Sequence, residues 1–132
     1  MSNVPTVQTI YQLFSKGDYP AILELMSEKV NWEHNALDHG IPWLKPGRGK
    51  LHVHQFFKTV AREFVITRFD VKNPIEIGNQ VLTMIDVEAT IRSTNKPIHD
   101  LEIHLWTFDE QGKVRTFRHI VDTHQHFLAS KR

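Results

Sequence analysis

Around residue 64 the spacing of apolar residues changes from helical to strand-like, and that change constrains the fold more than any other feature of the chain. Before it, Val53, Phe56, Phe57, Val60, Ala61 and Phe64 fall on one stripe of an amphipathic helix. After it come four β-branched, aromatic-rich segments, "VITRFDVKNPIEIG", "QVLTMIDVEATIRS", "IHDLEIHLWTFD" and "KVRTFRHIVDTHQH", separated by the turn signals "GN", "TNK" and "EQG". Long strands joined by short loops make an antiparallel meander, and the helix needs a surface on which to bury its stripe. The predicted class is α+β, a curved, mainly antiparallel sheet wrapped on one side of a long helix. One helix does not fill a strongly curved sheet, so the concave side becomes a pocket.

The N-terminal residues add two helices. Val4, Val7, Ile10, Tyr11 and Phe14 recur at helical spacing, with Pro5 in the first turn and Gly17 as the stop. Asp18 caps a second, short helix with Pro20 early and Ile22, Leu23, Leu25 and Met26 as its apolar content. "KVNWEHN" reads as a strand. "LDHGIPWLKPGRG" holds three glycines and two prolines and must be loop.

Composition excludes several classes of function. The 132 residues suit one domain, and 16 Lys and Arg against 15 Asp and Glu leave no basic surface for nucleic acid. No cysteine is present, which removes disulfides, thiolate nucleophiles and zinc-thiolate sites. No apolar run approaches a membrane span, and "MSNVPTVQTIYQLF" lacks the apolar core of a signal peptide, so a cytoplasmic location is expected. There is no phosphate loop, nucleophile elbow or dinucleotide fingerprint. "GRGK", at the start of the long helix, reads as a cap and turn.

In this order of elements, three stretches resemble a known family. They are "VNWEHN", the loop "IPWLKPGRG" leading into "HQFFKTV", and "EIHLWTFDEQGKVRTFRHIVDT". Together they resemble the nuclear transport factor 2-like cone, in its SnoaL-like and ketosteroid isomerase-like branch. The resemblance spans most of the chain. It implies the cone and a cavity, but not one activity, because this scaffold hosts isomerases, cyclases, hydrolases and binding proteins. It also implies roles for two histidines. His34 falls near the position of the isomerases' general-base aspartate, and His104 near the protonated aspartate that donates to the oxyanion. Neither aspartate is present here, and imidazole serves either role near neutrality.

Strand alternation says which residues meet inside the cone. Trp32 and His34 share one face of the first strand, and Asn31 and Glu33 the other. Glu102, His104, Trp106 and Phe108 share a face of a later strand, as do Phe117, His119 and Val121 of the last. A hairpin turned at residues 109–112 sets 102 opposite 119 and 104 opposite 117, so Glu102 and His119 form a carboxylate–imidazole pair. A slip of one residue would instead send Ile103 and Leu105 inward. Asp86 and Glu88 belong outside or at a dimer contact. The expected catalytic set is His34, His104, His119 and Glu102, and the expected lining is Trp32, Trp43, Phe56, Val60, Trp106, Phe117 and Val121. The nine histidines invite a metal set of His34, His104, His119 and Glu102, but no ligand spacing marks one, so neither metal nor cofactor is expected. His124 and His126 are placed on a fraying terminal strand. Three functions fit a small apolar ligand in such a cone: a proton-transfer enzyme, a non-catalytic carrier or sensor, and a dimerisation module. A homodimer is expected through the outer face of the long strands, where Met84, Ile103 and Leu105 or Ile120 leave apolar surface.

Overall fold

Pro5 in the first turn and a chain reversal at Gly17 bound the first helix, α1 (Val4–Ser15), which buries Val7 and Ile10. The Asp18 side chain accepts from Ala21 N at 3.2 Å and starts α2 (Tyr19–Glu24). The computed structural model describes residues 1–132. It continues with β1 (Met26–Trp32), a 3₁₀ turn (Pro42–Leu44), β2 (Gly47–Arg48) and the long helix α3 (Lys50–Glu63). The strands β3 (Phe64–Val71), β4 (Ile75–Ile77), β5 (Gln80–Ile91), β6 (Lys96–Phe108) and β7 (Val114–Ile120) follow, and then a closing helix, α4 (Thr123–Ser130). No helix is long and apolar enough to cross a membrane.

The seven strands form one mixed, mostly antiparallel sheet in the order β2-β1-β7-β6-β5-β3, with β4 also on β5. Only β1 and β7 run parallel. The concave face carries the alternate residues Val81, Thr83, Ile85, Val87, Ala89 and Ile91 of β5, and Ile98, Asp100, Glu102, His104 and Trp106 of β6. Ile103 and Leu105 therefore face away from the core, and the slipped alternative for β6 is not adopted. The stripe on α3 buries Val53, Phe57 and Val60 against this face. An apolar cluster joining α1, α2, β1, α3 and β5–β7 fills one end of the cone, and a smaller one around Trp43, Ile91, Ile98 and Ala129 fills the other.

Three boundaries and one strand register differ from the sequence reading. The first strand starts at Met26, three residues before Lys29, so Met26 belongs to sheet rather than helix. Residues 65–78 form two strands, interrupted where Pro74 has no N–H for the ladder. The last strand stops at Ile120, because the Asp122 side chain accepts from Gln125 N at 3.2 Å and opens α4. The β6–β7 register pairs His104 with His119 and Trp106 with Phe117, two residues from the expected pairing, with an irregularity at Thr107 and Phe108. Asp109 accounts for the wider turn: its Oδ1 accepts from Gln111 N at 2.9 Å and from Lys113 N at 3.0 Å. A shift of two residues preserves the faces, so Glu102 and His119 both remain inside.

Candidate functional site

Ten aromatic residues and a short polar wall enclose a cavity of about 70 Å³ within the cone. Trp32, Trp43, Phe56, Val60, Trp106 and Phe117 line it, together with Glu102, His104 and His119. Trp32 stacks on Phe117 with ring centroids 4.1 Å apart, and Phe56 meets His119 edge-on at 6.2 Å. Phe14, Val60, Phe64, Ile66 and Phe69 also bound an outer bowl of about 370 Å³ between the ends of α1 and α3 and strand β3. The inner chamber is smaller than the ~150 Å³ cavity that admits benzene.

Two expected site residues lie elsewhere. His34 is exposed: β1 ends at Trp32, and Glu33 adopts a left-handed conformation (φ 61°) that breaks the alternation. The backbone turns there, so the Glu33 side chain swings inward to 1% exposure and His34 points out. His34 keeps only backbone ties, its N–H donating to Phe117 O at 2.8 Å and its carbonyl accepting from Arg118 Nη1 at 3.2 Å. Val121 lies beyond the end of β7 and packs on the smaller apolar cluster rather than on the cavity.

The polar wall is a continuous hydrogen-bonded chain. Glu102 Oε1 lies 2.7 Å from His119 Nε2 and 3.3 Å from His104 Nε2. A carboxylate only accepts, so both imidazoles present N–H groups to it. His104 Nδ1 faces the Tyr11 hydroxyl at 2.7 Å. That hydroxyl also takes the indole N–H of Trp106 at 3.1 Å and lies 2.5 Å from Thr83 Oγ1. With the His104 proton on Nε2, Tyr11 donates to Nδ1 and Thr83 donates to Tyr11, which satisfies His104, Tyr11 and Trp106 and leaves His119 Nδ1 without a hydrogen bond.

The two imidazoles differ in charge. Burial pushes His104 down to about 4, only partly opposed by its hydrogen bond to Glu102, and the ring is neutral. Burial acts the same way on His119, but the Glu102 charge and hydrogen bond, with further help from Glu33, outweigh it and raise that ring to about 10. Burial disfavours the charged form of Glu102 as well. The His119 charge and the hydrogen bonds from both histidines outweigh it, holding the carboxyl well below its ordinary range. Burial raises the Tyr11 phenol, so it remains a donor.

Behind Glu102 lies a second buried group. Trp43 Nε1 donates to His126 Nδ1 at 2.9 Å, which leaves the ring proton on Nε2 for Asp100 Oδ2 at 2.8 Å. Asp100 also accepts from Asp122 N at the start of α4, at 3.2 Å. His126 is thus fully buried on a helix rather than frayed on a strand. Two sets bring metal-type ligand atoms within 4.8 Å, Glu102 with His104 and His119, and Asp100 with Glu102 and His126. In the first, both Nε2 atoms are already engaged with Glu102; in the second, a cation would have to displace the Nε2 proton of His126.

Sequence reasoning missed Tyr11, Glu33, Asp100 and His126. Asp100 has the parity of Glu102 on β6, and "VDTHQ" contains a helix cap signal, so these two left readable traces. Tyr11 read as an ordinary member of an apolar stripe. Nothing in the sequence marks the reversed backbone at Glu33.

A curved sheet closed by helices around an aromatic chamber with one polar wall defines a nuclear transport factor 2-like cone. The chain belongs to the SnoaL-like domain family, whose model matches residues 7–117. No curated protein matches the sequence. Solved structures share the fold at low identity. A nuclear transport factor 2-like protein from Burkholderia xenovorans is 20% identical with a TM-score of 0.86, the alignment covering 98% of this chain and 95% of that one. A counterpart of unknown function from Burkholderia pseudomallei is 22% identical over 100% of both chains, with a TM-score of 0.85. TerC, crystallised with polyporic acid, is 21% identical over 98% of both chains, with a TM-score of 0.80.

Proposed function

We propose that this protein is an acid–base enzyme that moves a proton on a small, mostly apolar molecule held in the cone. One observation carries the reading: on the chamber wall a Glu102 carboxylate held in its charged form lies 2.7 Å from a His119 ring held protonated, with the neutral His104 beside them. Neighbouring groups whose environments push their pKa values apart are how a site keeps a donor and an acceptor at one pH. With His34 outside, the acceptor is Glu102. His119 is the proton donor. A carbonyl oxygen that displaces Glu102 from the His119 Nε2–H receives that proton as Glu102 takes one from the adjacent carbon, and the new double bond forms between that carbon and the carbonyl carbon. His104, backed by Tyr11, supplies a neutral N–H to the developing charge. The apolar body rests against the aromatic wall of the bowl. One of the relatives named above was crystallised with a small organic molecule, which fits this class of ligand.

A carrier is the second reading, favoured because the histidines and Glu102 are hydrogen-bonded mainly among themselves. The test is turnover of enolisable ketones, lactones and epoxides by the parent and by His104→Ala and His119→Ala. An enzyme loses roughly 10²- to 10⁴-fold in kcat in variants that circular dichroism shows to be folded, and His104→Ala, which leaves the Glu102–His119 pair in place, is the deciding one. Absence of turnover together with tight retention of an apolar ligand would replace the enzyme by a carrier.

A further inference from the structure

We propose that Glu33 is a positioning residue, holding the His119 ring from behind so that a proton stays on Nδ1 while Nε2 faces Glu102 and the chamber. The inference rests on the acid–base reading of that chamber and deepens it. Glu33 does not line the cavity. Its side chain is nevertheless buried, brought inward by a left-handed backbone that a non-glycine residue adopts at a cost of about 1 kcal/mol or more. Both of its oxygens go to one residue. Oε1 accepts the His119 backbone N–H at 3.0 Å, and Oε2 lies 3.5 Å from His119 Nδ1. Neither Oε2 nor Nδ1 has any other polar partner. A buried acceptor and a buried donor left facing only each other are explained if they share a proton as the chamber works.

The arrangement sets a carboxyl group on each side of one imidazole. β6 presents Glu102 and His104 to the ring, the end of β1 presents Glu33, and α3 presents the uncharged Phe56. With Glu102 alone, His119 could satisfy its Nε2–H as a neutral ring with a bare Nδ1. Glu33 disfavours that tautomer, because an acceptor facing a lone pair is repelled. The doubly protonated ring, the one able to give up a proton at Nε2 and keep another, is thereby selected. Orienting carboxyl groups behind a working imidazole act in this way elsewhere, through the ring rather than on the substrate.

The test is Glu33→Gln. The glutamine keeps an oxygen for the His119 backbone N–H but turns an amide donor toward Nδ1, which favours loss of the Nδ1 proton and the neutral Nε2–H tautomer. Nitrogen-15 NMR of the ligand-free variant should show the His119 titration moved down by at least one unit from about 10, with Nδ1 the nitrogen that loses its proton first. In kinetics, kcat should fall roughly 10- to 100-fold with KM little changed, since Glu33 does not touch the ligand. Glu33→Asp, which retains the acid, should recover part of the loss. An unchanged His119 titration and tautomer in a folded Glu33→Gln protein would overturn the proposal. So would an unprotonated Nδ1 in the parent at pH 7.5, a result that needs no variant. If the NMR changes appear while the parent turns over no substrate, Glu33 keeps its role and the enzyme reading fails instead.

Discussion

Replacing Glu102 by glutamine removes the charge that holds the polar wall together while keeping its shape. At 2.7 Å from His119 Nε2, the lost attraction is ~6 kcal/mol at an effective dielectric constant of ~20. Raising His119 from 6.5 to about 10, against burial and with Glu102 the larger and Glu33 the smaller contributor, corresponds to ~5 kcal/mol of preference for the charged ring. The glutamine oxygen still accepts a neutral hydrogen bond worth ~1 kcal/mol, so the net loss at pH 6 is about 3–5 kcal/mol. Its pH dependence has a definite sign. The folded pKa of His119 lies above the unfolded value, so the pair contributes fully below about 6.5 and the contribution fades as pH rises through about 10. Urea unfolding of parent and Glu102→Gln should therefore differ most near pH 6 and converge above pH 10. Equal stabilities at pH 6, or a difference that stays constant up to pH 10.5, would refute the reasoning.

Parent stability itself should peak near pH 6.5. On the alkaline side the His119 contribution is lost toward about 10; on the acid side the buried neutral His104 disfavours folding from 6.5 down to about 4, and Glu102, whose pKa is lowered, gives up its contribution below 4.5. Melting temperatures across pH 4 to 10 check this, and a flat profile would contradict it. Tyr11→Phe should destabilise by about 1–3 kcal/mol, because Trp106 Nε1 and His104 Nδ1 lose their partner; chemical denaturation reads the loss. His34→Ala should leave stability and turnover within error, the side chain being exposed and outside the chamber. Leu101 and Ile120 are exposed on the outer sheet face beside Ile103 and Leu105, and sedimentation at micromolar concentration should give the mass of a homodimer. A monomeric mass would dismiss that interface.

The architecture was legible because it rests on periodicity. Alternation over β5 and β6 separated Thr83, Glu102 and His104 from Asp86 and Glu88 without any knowledge of the turns. The Glu102–His119 contact was legible for the same reason, since a two-residue register shift moves a partner along the strand without changing its face. Alternation fails where the backbone leaves the extended region. Glu33 and His34 exchanged places because φ at Glu33 is positive, and glutamate carries no local signal for that conformation. Tyr11 was hidden for a different reason. An aromatic at helical spacing looks like core from its ring, and only the partners of its hydroxyl, 72 to 95 residues away in sequence, show that it belongs to the wall.

The account turns on two neighbouring histidines, one neutral and one charged. A nitrogen-15 NMR titration resolving His104 and His119 from pH 3.5 to 10.5 measures this directly. The account predicts that His104 stays neutral, protonated on Nε2, down to about pH 4, while His119 keeps its charge up to about 10. Both rings titrating together near ~6.5, as unperturbed imidazoles do, would contradict it.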